Sequence, residues 1–564
     1  MQHPNFTKFV SDSSPDINMD LANGLARVHM DSVVDYVDSV WRSASHGFPP
    51  LFTYHGLRVC DYLEEYRVSL KPRNKKRKVK AAPGAKNSGS KTYDMSRTDF
   101  FLIELDLRFD GKPLEDKGKP VKTYIYLPFV GQGGSIYISG TKWYISPVLA
   151  DRVISLGMEQ IFVRLLRDRL TFSRTSGWCK KNNQTLRTDL VHSRIYHKSK
   201  DKDKQATNNA VTTMPHYLFC KYGFSGTLEK YCNVTPKVGF HLDQSLDLNE
   251  WDIYSTNGRQ PQGMKRRAKL VTWREPDIQV AIRKTDDKPT LLPYIAALFY
   301  VADYFPRQIT PDLVDSPDGW IAPMGYMLFS ENNNRGKIEE AVRKHLSSLD
   351  DYADAMVIDN MASIGLEIND IYDFFAIITD KFSPWISNNQ DKVNSMYNKE
   401  LSVLYFVLFD VTKAIFNLFF ALKANSRKEL TSGDVVKLVK DNIKPGACYQ
   451  LSKSHGEVAS ISYSGDNMAF KATATLTPQT ATSKMVKKTG ERGSANDPTR
   501  KLHPSLAYVG GVSCMTKADP TGQSKMNHYM LLDDLKTGIR LNPKFSFLLD
   551  MIAENELTSR AVAQ

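Results

Sequence analysis

"GGSIYISGTKWYIS", residues 133–146, opens on two glycines and then alternates. Ile136 and Ile138 lie on one side of a period-two pattern, with Tyr137 and Ser139 on the other. Ser139-Gly140 interrupts the pattern as a turn, and Trp143 and Ile145 resume it, so the stretch predicts a β-hairpin. Upstream, "LFTYHGLRV" (51–59), "YRVSL" (66–70), "FFLIELDLRF" (100–109) and "KTYIYLPFV" (122–130) read as strands, after a helix over 20–45 with Leu21, Leu25, Val28, Val33, Val34, Val37 and Val40 at helical spacing. Downstream, "SPVLADRVISLGMEQIFVRLLRDRL" (146–170) predicts a helix. Residues 173–275 read as polar and irregular, with exposed loops at 196–205 and 264–270. Residues 277–305 predict a strand, a turn at Asp286-Asp287 and a helix opened by Pro289. Helices dominate 336–440, and after Pro445-Gly446 short strands are expected in "EVASISYS" (457–464) and "MAFKATATLT" (468–477). No internal repeat is visible, and the order β, mixed, α, β predicts an α+β multidomain protein.

The 564 residues leave room for roughly three or four domains, or two large ones. Hydrophobic residues make up 41% of the chain, enough to bury a sizeable core and to exclude a disordered scaffold. The formal net charge is +13, and residues 71–91 alone carry nine Lys/Arg and no acid, so the basic bias is concentrated in one low-complexity segment. Six cysteines, Cys60, Cys179, Cys220, Cys232, Cys448 and Cys514, form no CxxC or close pair and read as reduced thiols. The N-terminus lacks the pattern of a signal peptide. The longest apolar run, 401–422, carries Asp410 and Lys413 near its middle, which predicts a buried core helix rather than a membrane span. An intracellular protein with no membrane partner is expected.

A self-sufficient active site is not apparent. GxxxxGK[ST], GxSxG and HExxH motifs are missing, and the histidines are scattered. Asp106 and Asp110, the set Asp243/Asp247/Glu250/Asp252, and the set Asp350/Asp351/Asp354/Asp359 lack the tight glycine-punctuated spacing of a metal loop and read as solvated faces and helix starts. "KKRKVK" (75–80) imitates a nuclear import signal but reads as an exposed loop. "SKMVKKTGERGSANDPTRKLHPS" (483–505) gathers Lys484, Lys487, Lys488, Arg492, Arg500 and Lys501 around a Gly/Ser/Asn loop, a composition suited to phosphate contact.

In order along the chain, these pieces resemble the β (second-largest) subunit of multisubunit DNA-directed RNA polymerases. "GGSIYISGTKWYIS" resembles the hairpin near the start of the family's lobe, with Ser139 in place of the usual Asn and Lys142 in the charged position. "DIQVAIRKTDDKPTLLPYIAAL" (277–298) is similar to the strand–turn–helix in which a basic pair precedes Pro and an apolar helix. In 388–419, Asn398-Lys399-Glu400 occupy the family's Asn-Lys-Arg tripeptide ahead of a long apolar helix, with Glu400 where Arg is usual. Residues 483–505 resemble the fork region, in which Leu502-His503-Pro504-Ser505 match the family pattern, and "ADPTG" (518–522) occupies the place of its Glu-Thr-Pro-Glu-Gly with different acidic residues. The resemblance spans roughly 45–525 and reaches about halfway through a β subunit, as in the split polymerases of giant tailed bacteriophages.

The resemblance implies a protrusion (1–130 and 403–465), a lobe (131–402) and the beginning of the fork (466–564). It implies nucleic-acid contacts at Lys484, Lys487, Lys488, Arg492, Arg500 and Lys501, and no catalytic or metal-binding residue in this chain, which alone would be inactive. The Mg²⁺ of the assembled enzyme would be held by an Asp triad of a β′-like subunit. Implied partners are a C-terminal β-half subunit, β′-like subunits, a separate promoter-specificity subunit, DNA template and RNA transcript, all inside the infected bacterial cell. Virion and non-virion enzymes both stay open. A stand-alone single-stranded nucleic-acid-binding protein, using 71–91 and its aromatic content, is the alternative of a different class.

Overall fold

The structure is a computed structural model and describes residues 31–69, 100–110, 118–130, most of 135–193, 211–256, most of 278–444, and short separate pieces between 459 and 554. The chain is mixed α and β with several separate sheets, and it divides into two compact units. One is discontinuous, Met1–Arg152 with Asn394–Gln564, and the other is the continuous stretch Val153–Val393 between them.

The continuous unit is built on a seven-stranded antiparallel sheet. Its axis is a long hairpin, Arg169–Lys181 against Gln184–Ser193, whose turn holds Asn182 at φ 45, a left-handed conformation asparagine tolerates. Helix Leu292–Tyr304 lies on this hairpin and is apolar nearly all round, as a helix enclosed by its own unit must be. Met214–Tyr222 buries Tyr217, Leu218 and Phe219 completely and ends at Gly223, φ 73. A side chain at Gly223 would run into the Asp315 carbonyl, so the chain can only turn there as glycine, which lets Phe224 N–H donate to the Val314 carbonyl at 2.8 Å. Phe172 meets Phe374 edge-on at 5.7 Å and Phe219 meets Trp320 at 4.7 Å, tying sheet and helices into one core.

Two expectations fail in this unit and one outside it. Residues 146–170 are not a helix: Val148–Asp151, Ile154–Leu156 and Gln160–Arg164 are strands, and Arg169 begins the next. Val153, Ile154, Ile161 and Val163 are β-branched, and Gly157 N–H donates to the Gln160 carbonyl at 2.7 Å to close a turn that no helix allows. Residues 173–275 are not irregular, since they hold the long hairpin and two buried helices. Their polar residues mislead because they pair with one another. Lys181 bridges Asp252, at 3.0 Å, and Asp287, while Asn182 Nδ2 donates to Asp252 at 2.8 Å. The expected loops at 196–205 and 264–270 lie outside the described residues. In the discontinuous unit, 66–70 belongs to helix Tyr62–Ser69 rather than a strand, because Asp61 and Glu64 cap its start reciprocally, at 2.8 and 3.1 Å.

Elsewhere in the discontinuous unit the periodicity is realised. Strands Phe52–Val59, Phe100–Phe109 and Thr123–Pro128 form a sheet with Lys119–Pro120, and Ser135–Ile138 pairs with Thr141–Ser146 as a hairpin. Val33–Ser45, the described part of the helix expected over 20–45, stacks Trp41 on Tyr54 at 5.4 Å. Helix Phe409–Asn425, from the apolar run, buries Ile415, Leu418 and Leu422 and leaves Lys413 exposed. Among the described residues no helix is long and apolar enough to cross a membrane. The expected strand–turn–helix of 277–305 is present as Ile278–Arg283 and Leu292–Tyr304.

Within the continuous unit, burial pushes the Asp380 carboxyl up to about 6, and its Oδ1 has no hydrogen-bond partner. The folded state therefore holds a proton that the unfolded state, with an ordinary carboxyl, releases, so this group makes stability fall as pH rises from about 4 to 6. Fully buried His216, pushed down to about 4, acts in the opposite sense over an overlapping range. Asp380→Asn should therefore gain on the unsubstituted protein by about 1–3 kcal/mol between pH 4 and 7 and hold that gain above it, read as the difference between two urea-denaturation series.

Candidate nucleic-acid interface

Lys484, Lys487, Lys488, Arg492, Arg500 and Lys501 lie outside the described residues, as do 71–91. What the structure describes is the frame on either side of the 479–502 segment. Its upstream flank, Thr475–Pro478, pairs parallel with Val148–Asp151 through Thr477↔Val148 and Pro478↔Leu149, and antiparallel with Ser524–Lys525. The opposite edge of Val148–Asp151 pairs antiparallel with Lys399–Leu401. The segment's downstream flank returns to that side, where Met396 N–H donates to Ser505 Oγ at 2.8 Å. His503 Nδ1 lies 2.7 Å from the same hydroxyl and accepts from Ser505 N–H at 3.2 Å, so the Ser505 hydroxyl is free to accept from the backbone while turning its proton to the imidazole. The upstream flank is thus part of this four-stranded sheet, and the downstream flank is held by Met396, in the 3-10 turn that leads into the strand on the other side of Val148–Asp151.

Three pieces distant in sequence meet here: the stretch after the opening hairpin, the tripeptide Asn398-Lys399-Glu400, and His503 with Ser505. Lys399 stands directly opposite Asp151 and is 0% exposed, its Nζ 2.7 Å from Asp151 Oδ1. Burial pushes the Lys399 ammonium down to about 7. Leu149, Ala150 and Leu401 close around the pair, each at most 1% exposed. Lys399 therefore cannot reach a nucleic acid, although it stands in a tripeptide that resembles a basic family motif. Neither Lys399 nor Asp151 emerged as a functional candidate from the sequence: one sat at the edge of an apolar run, the other inside a stretch read as a helix.

Among the described residues no group of three or more His, Cys, Asp or Glu could hold a metal ion. The acids singled out above have other occupations. Asp106 pairs with Arg108 at 3.0 Å, Asp110 accepts from Thr53 at 2.9 Å, Asp252 holds Lys181, and Asp354 caps helix Ala355–Ala362 through Val357 N–H at 3.0 Å. Cys60, Cys179, Cys220 and Cys232 are free thiols, and burial pushes Cys60 up to about 11 and Cys179 up to about 12, away from reactivity.

Asp151→Ala leaves a buried ammonium with its carboxylate removed and should lower the stability of the discontinuous unit by about 3–5 kcal/mol, measured by chemical denaturation. A loss below about 1 kcal/mol would mean that water reaches Lys399.

No curated protein sequence matches the chain. A family model does: residues 18–536 match the family described as non-virion RNA polymerase subunit. With that match over most of the chain, this protein belongs to the non-virion RNA polymerase subunit family.

Proposed function

We propose that the chain is the N-terminal half of a split β subunit in the DNA-dependent RNA polymerase of a giant tailed bacteriophage, made during infection rather than carried in the virion. Family membership already makes it one part of a multisubunit RNA-synthesising enzyme acting on DNA and RNA. The observation that carries the finer reading is the path of the chain. It leaves one compact unit, builds Val153–Val393 as a second, and returns at Asn394 to complete the first. A protrusion interrupted by a lobe requires such a path. On this reading 1–130 and 403–465 are protrusion, 131–402 lobe and 466–564 the start of the fork.

The chain acts as one jaw of the cleft and guides strands. Lys484, Lys487, Lys488, Arg492, Arg500 and Lys501 contact phosphates near the point where the strands separate, supplying position rather than sequence information. The described flanks of their segment are held, Thr475–Pro478 by pairing with Val148–Asp151 and Ser505 by Met396 N–H, which supports this role. The Mg²⁺ for nucleotidyl transfer belongs to a β′-like partner. Asp106, Asp252, Asp110 and Asp354 are engaged by arginine, lysine, hydroxyl and backbone donors respectively, a poor set for a metal. The remaining partners are the C-terminal β half and a promoter-specificity subunit.

Two measurements test this. Affinity purification of the tagged chain from infected cells should bring down a chain carrying the rest of β and one carrying an Asp-rich catalytic loop; recovery with nucleic acid alone would favour a stand-alone single-strand binder. In the assembled enzyme, Lys487→Glu with Lys488→Glu should cut transcript synthesis by about tenfold and flatten the salt dependence of template binding by about two counterions, with subunit assembly unchanged. Undiminished transcription by that enzyme would refute the placement of the fork.

A further inference from the structure

The Lys399–Asp151 pair has a feature that stability alone does not require. A buried ion pair of this kind is commonly no more stabilising than two apolar residues of similar volume, whereas it is strict about what stands opposite what. Lys399–Leu401 pairs with Val148–Asp151 as Lys399↔Asp151, Glu400↔Ala150 and Leu401↔Leu149. Moving this register by one residue in one direction would set Lys399 opposite Arg152 and Glu400 opposite Asp151, two like-charge contacts in a strand pair whose neighbours are buried. Moving it the other way would set Lys399 opposite Ala150 without a counter-charge and Glu400 opposite Leu149. Only the observed register sets a carboxylate opposite the buried Lys399. The surrounding apolar residues, Leu149, Ala150 and Leu401, are of a kind that would tolerate a slip, and a three-residue strand has few hydrogen bonds with which to resist one.

One attachment of the basic segment is on a strand that this pair locks, and the other is in the 3-10 turn leading directly into the second strand. Met396, which holds Ser505, is three residues before Lys399. Val148, which pairs with Thr477, is three residues before Asp151. A slip of one residue would displace one attachment along the other by about 3.4 Å, the rise of one strand residue.

We propose that Lys399 and Asp151 are positioning residues: their ion pair fixes the register of Lys399–Leu401 on Val148–Asp151 and thereby sets where both ends of the 479–502 segment are held. This rests on the reading of that segment as a nucleic-acid contact only for its consequence in transcription, and the register itself can be read separately.

Register is read by cysteine trapping in the full chain. Leu149→Cys with Leu401→Cys reports the observed register, and Ala150→Cys with Leu401→Cys reports the slipped one. With Lys399 and Asp151 in place, oxidation should close the first pair and not the second. Exchanging the charges, Asp151→Lys with Lys399→Asp, makes the slipped register attractive at both contacts, so the second pair should now close as well. Because the exchanged protein keeps an opposite-charge pair in the observed register, the deciding variant removes both charges, Asp151→Leu with Lys399→Met: closure of both traps supports the proposal and closure of the first alone overturns it. In the assembled polymerase the exchanged pair should lower transcription several-fold. A shifted register with full transcription would uphold the positioning pair and count instead against the segment as a nucleic-acid contact, a failure that Lys487→Glu with Lys488→Glu detects independently.

Discussion

A lysine with no exposed surface, satisfied by one carboxylate at 2.7 Å, is the constraint around which the discontinuous unit closes. Desolvating an ammonium is costly, and the cost is offset only if the partner arrives from the right place. Here the partner comes from a strand 248 residues earlier in the chain, with the whole continuous unit folded between the two. The pair therefore couples the departure of the chain from this unit to its return. Thr477↔Val148 extends the same small sheet to one flank of the basic segment, and Met396 N–H, from the turn before Lys399, holds Ser505 on the other.

The continuous unit solves a different problem with different means. Its core is apolar and aromatic and surrounds a long hairpin whose polar residues are neutralised locally, as Lys181 with Asp252 and Asp287, or Arg174 with Asp189 at 3.0 Å. Lys221 and Lys230 likewise lie over tyrosine rings, 3.9 Å from the Tyr372 centroid and 4.4 Å from that of Tyr222, and pair with Asp370 and Asp373. These cations are already committed, which is why the basic character available for a polyanion is sought in the segment framed by the other unit.

Function in this protein is divided between chains. Asp61 and Asp354 cap helices and Asp252 holds Lys181, and the described thiols are buried or half-buried. Membership of an RNA polymerase subunit family makes the chain one part of a multisubunit RNA-synthesising enzyme.

Much of this was legible from residues alone, and the limit is physical. Alternation marked Phe100–Phe109 and the 135–146 hairpin, a run with only two charges marked Phe409–Asn425, and Pro289 marked the start of its helical stretch, because in each case the pattern is local and one face is buried. The same reasoning failed over 146–170, where short apolar strands carry no period long enough to tell them from a helix. It failed again over 173–193, where polar side chains find their partners across the sheet rather than in sequence. The sequence by itself determined the element types of the strongly periodic stretches, the basic character of 483–501 and, through the order of its motifs, the kind of machine to which the chain belongs. Only the tertiary structure decided that Lys399 is buried against Asp151, because a charge in the interior is acceptable solely when a distant partner meets it, and no local pattern records that meeting.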